Sequence, residues 1–299
     1  MTHFDFRFFK SLAHRMLWAT TVALSFWINT AQAADKIPVT ASFSILGDIV
    51  REIGGDRVLV STLVGPDEDA HVFEPKPADA KTILAGKLLV INGLNFEPWV
   101  AKLAKSAGYK GEILVASKGV KVRNSDPHAW QNPLNVVLYA QNIAAQLSKL
   151  DPAGASSYEA NAAAYAAKLK ALDAWAKDQI GSIPKSKRKV ITSHDAFAYF
   201  GANYGLVFLA PQGVNTDSEP SAKQVAQLIQ QIKREKIRAV FVENMSNPKL
   251  VAQLSKDAGA TLGASLYSDA LSHPDKPGAT YLQMMRHNVE QLVAGMRLN

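Results

Sequence analysis

The chain has 299 residues, a formal net charge of +7 and 0 cysteines. Without cysteine there is no disulfide framework and no thiol that could carry a lipid. The positive charge is small and evenly spread along the sequence, which excludes the concentrated basic surface typical of a nucleic-acid-binding protein.

The first 33 residues have the pattern of a secretory signal peptide. Basic residues precede an apolar run at 16–28, and Ala31-Gln32-Ala33 supplies the small residues of a cleavage site. We predict cleavage after Ala33, which leaves 266 residues with 30 basic and 25 acidic side chains, a net charge of +5. An uncleaved membrane anchor is the alternative, but the run is shorter than the ~20 apolar residues that span a bilayer. The mature protein is therefore expected to be soluble in the periplasm of a Gram-negative cell.

Strand and helix patterns alternate along the mature sequence, which is typical of βαβ units and a largely parallel sheet. In the first half we predict strands at 37–43, 57–64, 87–92 and 112–116, and helices at 46–53, 77–84 and 98–107. In the second half we predict strands at 189–192, 206–209, 239–242 and 261–266, and helices at 196–204, 221–236, 248–258 and 280–298. The expected fold class is α/β, with two lobes that each contain a mostly parallel sheet.

The segment between the two halves predicts one long helix. It has no proline or glycine between Gly154 and Gly181, and its apolar residues recur at helical spacing. They are Tyr158, Ala162, Tyr165, Leu169, Leu172 and Ala176. At ~1.5 Å per residue the helix is roughly 39 Å long. We interpret it as a rigid spine that packs on both lobes and resists hinge bending, rather than as a surface helix with one apolar stripe.

These patterns divide the chain into four segments. They are the signal peptide at 1–33, an N-terminal lobe at 34–153, the spine helix at 154–183 and a C-terminal lobe at 184–299. The sequence shows no convincing internal repeat.

Four side chains are candidate ligands of one metal ion: His71, His128, His194 and Asp269. Open α/β sheets bind ligands beyond the carboxyl ends of their strands, and three of the four follow a predicted strand. His128 lies instead in a proline-containing loop, so its position is less constrained. Each residue also has a simpler interpretation when taken singly. His71 could be a loop histidine and His128 a turn residue. His194 could be a strand-end histidine paired with Asp195, and Asp269 could be a helix cap.

Successive candidate ligands are 57, 66 and 75 residues apart, which excludes a local clip of the zinc-finger kind. The site therefore forms only when both lobes are folded, and two ligands from each lobe place the ion in the cleft between them. Imidazole nitrogens with one carboxylate suit a borderline first-row cation. A tetrahedral zinc site is the simplest geometry.

An enzyme is not expected. The adjacent residues Ser193-His194-Asp195 cannot form a nucleophile-base-orienter line, and the sequence has no Gly-x-Ser-x-Gly elbow and no His-Glu-x-x-His motif. Four protein ligands would also leave no open position on a zinc ion for an activated water, which argues against a zinc hydrolase.

Several motifs are specific in combination. They are Phe73-Glu74-Pro75, the run 92–99, Asp126-Pro127-His128-Ala129-Trp130, the run 193–200, Glu219-Pro220-Ser221 and Ala279-Thr280-Tyr281-Leu282. With them, the chain from about residue 37 to its C-terminus closely resembles the zinc- and manganese-binding solute-binding proteins of bacterial ABC importers. The resemblance implies two lobes bridged by a long helix, one metal held by His71, His128, His194 and Asp269, and an inner-membrane permease as partner.

The sequence departs from that family in two places. Ala70 stands where proline is common before the first histidine, and the segment 111–126 has no histidine where many zinc members carry a metal-collecting loop. The third ligand still favours zinc, because manganese members typically have glutamate at the position that matches His194 and carboxylate oxygen suits manganese better. We therefore expect a monomer that carries Zn²⁺, with Mn²⁺ or Fe²⁺ as the alternative cargo. A metal-dependent adhesin is the alternative class, weakened by the absence of a cysteine for a lipid anchor.

Three further residues are not included in the ligand set. His273 lies in a stretch rich in proline and is expected to be solvated, and His287 lies on the predicted C-terminal helix as a surface or packing residue. Glu243 ends a predicted strand. It is either a support for the ligands or an ordinary acid at a strand end.

Overall fold

The computed structural model describes residues 35–299, so the predicted signal peptide lies outside the described residues. In the described part, no helix combines the length and the apolar character that crossing a bilayer requires.

The first half of the described chain forms a four-stranded parallel sheet. Its strands are β1 (Ile37–Phe43), β2 (Val58–Val64), β3 (Leu88–Ile91) and β4 (Glu112–Val115), in the order β2-β1-β3-β4. The crossover helices are α1 (Ser44–Gly54), α2 (Pro77–Ala85) and α3 (Pro98–Ala107). The central strands β1 and β3 are largely buried, as expected for a parallel sheet covered on both faces.

Two helices follow the first sheet, α4 (Pro133–Leu150) and α5 (Ala155–Gly181). Pro133 begins α4 with a preset φ, and the Asn132 side chain caps it by accepting from the N–H of Leu134 at 3.0 Å. The 27 residues of α5 confirm the predicted long helix between the two halves.

The second half forms another four-stranded parallel sheet. Its strands are β5 (Lys189–Ile191), β6 (Val207–Leu209), β7 (Ala239–Val240) and β8 (Thr261–Leu262), in the order β6-β5-β7-β8. Its helices are α6 (Ala198–Tyr204), α7 (Ala222–Glu235), α8 (Pro248–Ala258) and α9 (Tyr281–Met296). The two sheets thus share one strand order although the sequence shows no repeat. The predicted fold class, two α/β lobes with parallel sheets, is confirmed.

Two strands end at least two residues earlier than predicted. We expected β7 to reach residue 242 and β8 to reach residue 266, but both stop near their second residue. Gly263 donates to the carbonyl of Val240, and Leu266 donates to the carbonyl of Val242. One strand therefore advances by three residues while the other advances by two, and this extra residue interrupts the ladder. Gly263 is needed there, since a Cβ would lie 2.6 Å from the Phe241 ring.

Helix α5 packs on both halves of the molecule. The six apolar residues predicted for its stripe are all buried, in one core that also contains Val39 of β1 and Val190 of β5. Asn161 of α5 donates to the carbonyl of Ile53 in α1 at 2.9 Å, and Arg286 of α9 lies 4.3 Å from the Trp175 ring centre. The predicted packing of this helix on both lobes is confirmed, and its resistance to hinge bending stays a prediction. The segment boundaries at 153 and 183 stay a prediction.

A buried carboxylate joins the two halves at the start of α9. Asp48 of α1 is 7% exposed, and its Oδ2 accepts from the backbone N–H of Tyr281 at 2.8 Å. Burial raises the pKa of Asp48 to about 6, although the Tyr281 N–H and the charge of Arg51 oppose the change. The folded protein therefore prefers the protonated carboxyl at a pH where the unfolded chain, with a pKa near 3.8, is already ionised.

We predict that Asp48→Asn stabilises the protein in a pH-dependent way. Because the folded pKa is raised, ionised Asp48 costs stability as pH rises from about 4 through about 6. Asparagine stays neutral and can still accept from Tyr281. At pH 7.5 the variant should be more stable by about 1–3 kcal/mol, and below pH 4 the difference should vanish.

Denaturant unfolding of the metal-free protein at both pH values measures this difference. The exposed Asp56→Asn change is the matched control and should show no such gain. The prediction would be contradicted if the Asp48→Asn variant gained less stability over wild type at pH 7.5 than at pH 4.

Candidate metal centre

The four predicted ligands lie in the loops that follow strands. His71 is between β2 and α2, His128 between β4 and α4, His194 directly after β5, and Asp269 between β8 and α9. Each sheet therefore contributes two of them, all from the carboxyl ends of parallel strands, where open α/β sheets bind their ligands.

Two of the histidines, in separate loops, follow the same kind of turn. Oδ1 of Asp69 accepts from the backbone N–H of His71 at 2.8 Å, and Oδ1 of Asp126 accepts from that of His128 at 2.9 Å. In each case an aspartate bonds the backbone two residues on, which is the Asx turn that short polar side chains favour. The common spacing Asp-x-His is the local reason why both loops present a histidine.

The ligand atoms converge on one point. All four side chains offer an atom within 4.8 Å of the others. Nε2 of His128 lies 3.1 Å from Nε2 of His71 and 3.4 Å from Nε2 of His194. Oδ2 of Asp269 lies 3.3 Å from Nε2 of His71 and 3.1 Å from Nε2 of His194. In a tetrahedral zinc site with bonds of ~2.0–2.1 Å, neighbouring ligand atoms are separated by about 3.3–3.4 Å.

The cluster is buried, and its burial is energetically unfavourable unless a cation is present. The side chain of His71 is 2% exposed, and those of His128, His194 and Asp269 are 0% exposed. Neither carboxylate oxygen of Asp269 receives a hydrogen bond. A buried charge costs several kcal/mol unless it is paired and hydrogen-bonded, and a metal ion held between these four side chains would pair it.

The charges of the cluster shift the pKa values of its members. Burial lowers the pKa of His128, but the carboxylate of Asp269 and a hydrogen bond to Asp126 raise it more, so the net shift is upward. The pKa of His194 is raised well above its ordinary value, because the carboxylates of Glu243 and Asp269 outweigh desolvation. Burial opposes ionisation of Asp269, yet the facing His128 and His194 hold its pKa well below the usual range. The ionised forms of the two imidazoles and of the carboxyl therefore stabilise one another, and a proton on a ligating nitrogen would have to leave when a metal binds.

Aromatic rings and one indole hydrogen bond fix the ligand loops. The ring of Phe96 lies 4.7 Å from that of His71, edge to face, and the ring of Trp130 lies 5.3 Å from that of His128. Nε1 of Trp99 donates to the carbonyl of Ala70 at 2.8 Å. The loop that bears His71 is therefore held on both sides of its ligand, although it lacks the proline common before it.

The structure brings all four sequence-predicted ligands together. The alternative pairing of His194 with Asp195 is wrong, since Nδ1 of His194 faces Glu243 at 2.5 Å. His273 is 58% exposed, and His287 contacts the carbonyl of Ser265 at 2.9 Å, so both lie outside the cluster as expected.

Two carboxylates support the ligands from behind. Asp126 and Glu243 contact Nδ1 of His128 and His194 at 2.7 Å and 2.5 Å. From the sequence alone, the role of Glu243 stayed open and that of Asp126 was missed. A sequence signal was available only for Asp126, in the Asp-x-His spacing, because Glu243 reaches His194 through the pairing of β7 with β5.

Comparison with known proteins identifies the family. The family described as zinc-uptake complex component A, periplasmic, matches residues 39–295. The chain belongs to this family. It is a metal-binding substrate-binding protein of an ABC importer, a family of binding proteins and not of enzymes.

Relatives and solved structures in this family bind different metals according to their names. The manganese ABC transporter substrate-binding lipoprotein PsaA of Streptococcus pneumoniae is 33% identical over 290 residues, covering 92% of this chain and 94% of that protein. The manganese-binding lipoprotein MntA of Halalkalibacterium halodurans is 32% identical over 273 residues, covering 90% of this chain and 91% of that protein.

Two solved structures resemble the chain over nearly their full length. The periplasmic zinc binding protein TroA from Treponema pallidum matches with a TM-score of 0.83 at 27% identity, covering 87% of this chain and 99% of that one. The Mn-bound periplasmic metal binding protein from Candidatus Liberibacter asiaticus matches with a TM-score of 0.78 at 31% identity, covering 87% and 100%.

We predict that His128→Ala removes most of the stabilisation that zinc provides. Free metal at 1,000 times its dissociation constant adds ~4.1 kcal/mol to a protein that binds it only when folded. Losing one of four ligands should abolish most of the corresponding rise in melting temperature. Thermal melts of the metal-free and zinc-loaded forms test this. His273→Ala, which removes an exposed histidine, should keep the full rise, and a full rise in His128→Ala would refute the assignment of that ligand.

Proposed function

We propose that this protein captures Zn²⁺ in the periplasm with His71, His128, His194 and Asp269 and delivers it to an inner-membrane ABC permease. The observation that carries the proposal is the buried convergence of three Nε2 atoms and one carboxylate, with separations of 3.1–3.5 Å between neighbouring ligand atoms. These separations bracket the value for a tetrahedral zinc ion.

The chemistry of the ligand set supports zinc. Three imidazole nitrogens are borderline-soft ligands that suit zinc, copper, nickel and iron, whereas manganese prefers carboxylate, carbonyl and water oxygen. Only Asp269 offers oxygen among the four proposed ligands. Zinc also accepts four-coordinate sites without a water, which a centre with side chains at 0–2% exposure requires.

Manganese is the second candidate, and specific observations favour it. Relatives about one-third identical to this chain are named manganese-binding, and a similar solved structure is described as Mn-bound. Both oxygens of Asp269 face imidazole nitrogens, at 3.1 Å for His194 and 3.5 Å for His128. A carboxylate that binds through both oxygens raises the coordination number to five, which suits manganese as well as zinc.

The buried centre is consistent with carrying an ion rather than transforming a substrate. The ion would be held by two residues from each half of the molecule, so the loops that bear them would have to move apart before it leaves. A permease that stabilises the separated form would receive the ion. The relatives are named lipoproteins, and with 0 cysteines we propose instead a cleaved leader and a freely soluble, monomeric carrier.

Metal analysis and uptake measurements test the proposal. Protein purified after growth in defined metals should contain one zinc ion per chain, and zinc should displace manganese in competition titrations. Deletion of the gene in its host should reduce uptake of radioactive zinc at low supply. Stoichiometric manganese with no zinc, and reduced manganese uptake in the deletion strain, would transfer the assignment to manganese. Two tightly held ions per chain would contradict the single centre.

We also predict that His194→Glu shifts metal preference from zinc toward manganese. The change replaces a borderline nitrogen with hard oxygen at a buried position, which lowers zinc affinity more than manganese affinity. A shift of about tenfold in the affinity ratio, or about 1.4 kcal/mol, is expected. Competition titrations measure the ratio, with His287→Ala as the histidine control outside the centre. An unchanged ratio would count against ligand softness as the basis of selection.

A further inference from the structure

Glu243 lies inside the protein, directly behind one imidazole of the metal centre. Its side chain is 0% exposed. Oε1 accepts hydrogen bonds from the backbone N–H groups of Ser193 at 2.8 Å and His194 at 3.0 Å. Oε2 lies 2.5 Å from Nδ1 of His194 in an ion-pair contact, and neither of these two atoms has a hydrogen bond to any other group. Both oxygens of this carboxylate therefore face nitrogen atoms.

The position of Oε2 decides where His194 carries its proton. An oxygen lone pair and a bare nitrogen lone pair would repel at 2.5 Å, so this contact favours a hydrogen on Nδ1. A neutral imidazole has one N–H, which leaves a lone pair on Nε2. Nε2 is the atom that lies 3.1 Å from Oδ2 of Asp269 and 3.4 Å from Nε2 of His128.

An amide cannot take over this arrangement, because glutamine has one oxygen and one NH₂ group. If the oxygen faces the two backbone N–H groups, the NH₂ faces Nδ1 and drives the proton to Nε2. If the oxygen faces Nδ1, the NH₂ opposes two backbone donors. Only a carboxylate accepts on both sides at once.

The equivalent residue behind His128 is different in this respect. Oδ1 of Asp126 alone accepts from both the backbone N–H and Nδ1 of His128, at 2.9 Å and 2.7 Å. Oδ2 is buried and has no hydrogen-bond partner. Asparagine can keep its oxygen in the Oδ1 position and place its NH₂ where Oδ2 was. The change from carboxylate to amide therefore preserves the proton on Nδ1 of His128.

We infer that Glu243 is a positioning residue that locks His194 in its metal-binding tautomer, whereas Asp126 orients His128 without depending on its second oxygen. The inference deepens the proposed function and rests on it, for zinc and for manganese alike. It assigns a specific task to a residue that touches no metal ion.

Two matched variants separate the two residues. Glu243→Gln and Asp126→Asn each remove one buried negative charge behind a ligand and change the side-chain shape little. Loss of a support behind a metal-bound histidine lowers affinity by about 10–100-fold. We expect Glu243→Gln to lower zinc affinity by about 100-fold and Asp126→Asn by about tenfold or less. Competition titrations with a chromogenic chelator measure both, and circular dichroism of the metal-free proteins controls for folding.

Spectroscopy provides a measurement that the loss of a negative charge alone would not change. The absorption spectrum of bound Co²⁺ reports coordination number, so Asp126→Asn should keep the wild-type spectrum and Glu243→Gln should change it. Equal losses of affinity with unchanged spectra in both variants would overturn the inference and leave the proposed function standing. A wild-type protein that binds neither zinc nor manganese would overturn both.

A measurement on the wild type decides the matter if Glu243→Gln does not fold. Long-range proton-nitrogen spectra of zinc-loaded protein with ¹⁵N-labelled histidine distinguish a protonated ring nitrogen from a metal-bound one. We expect a proton on Nδ1 of His194 and zinc on its Nε2. A proton missing from Nδ1, or zinc bound through Nδ1, would overturn the inference.

Discussion

Three imidazole nitrogens and one carboxylate are held together where water is excluded, and this confinement is the constraint on which the molecule depends. The attraction between these groups raises the pKa values of His128 and His194 and lowers that of Asp269, although burial opposes all three ionised forms. In water such groups would solvate separately, and here the fold prevents them from doing so. Burying these polar groups away from water costs free energy. Packing elsewhere in the molecule therefore has to supply the free energy that holds the four side chains close together.

The apolar core supplies that packing, and α5 distributes it over both halves. Its buried stripe belongs to the same core as strand residues of both sheets, so neither sheet is packed independently of the helix. Hydrogen bonds between the two halves also fix their relative position. Asp48 accepts from Tyr281, Thr216 donates to Asp69 at 2.7 Å, and Asn244 donates to Asp67 at 2.8 Å. The last two bonds tie the loop before His71 to the second half and so hold that ligand near the others.

Most elements of the fold could be predicted from the sequence because their signals are local. Proline at the first turn marks α3 and α8 at the predicted residues, and period-two or buried apolar runs mark the strands. The ends of β7 and β8 could not be predicted, because the extra residue near Gly263 lies against the ring of Phe241, which directly follows β7. The strand order that the two sheets share could not be predicted either. Packing determines this order, and the two halves show no sequence repeat that would reveal it.

The same distinction applies to the metal centre. The convergence of His71, His194 and Asp269 could be predicted, because each follows a predicted strand and the fold class brings such positions to one edge, whereas His128 was predicted from its motif and the family resemblance. Glu243 could not be assigned, since an acid at a strand end is common and only the pairing of β7 with β5 brings it to His194. Contacts across 49 residues of sequence are decided by the sheet and not by any motif.

Placing every ligand in a loop, while the sheets and α5 provide the core, has an evolutionary consequence. His71, His128, His194 and Asp269 all lie outside the named strands and helices, so a substitution at any of them replaces no residue of the strand registers. Such a scaffold can diverge in metal preference through single changes without first losing its stability. Lineages facing scarcity of different metals can therefore retain one architecture and exchange only the residues at its edge.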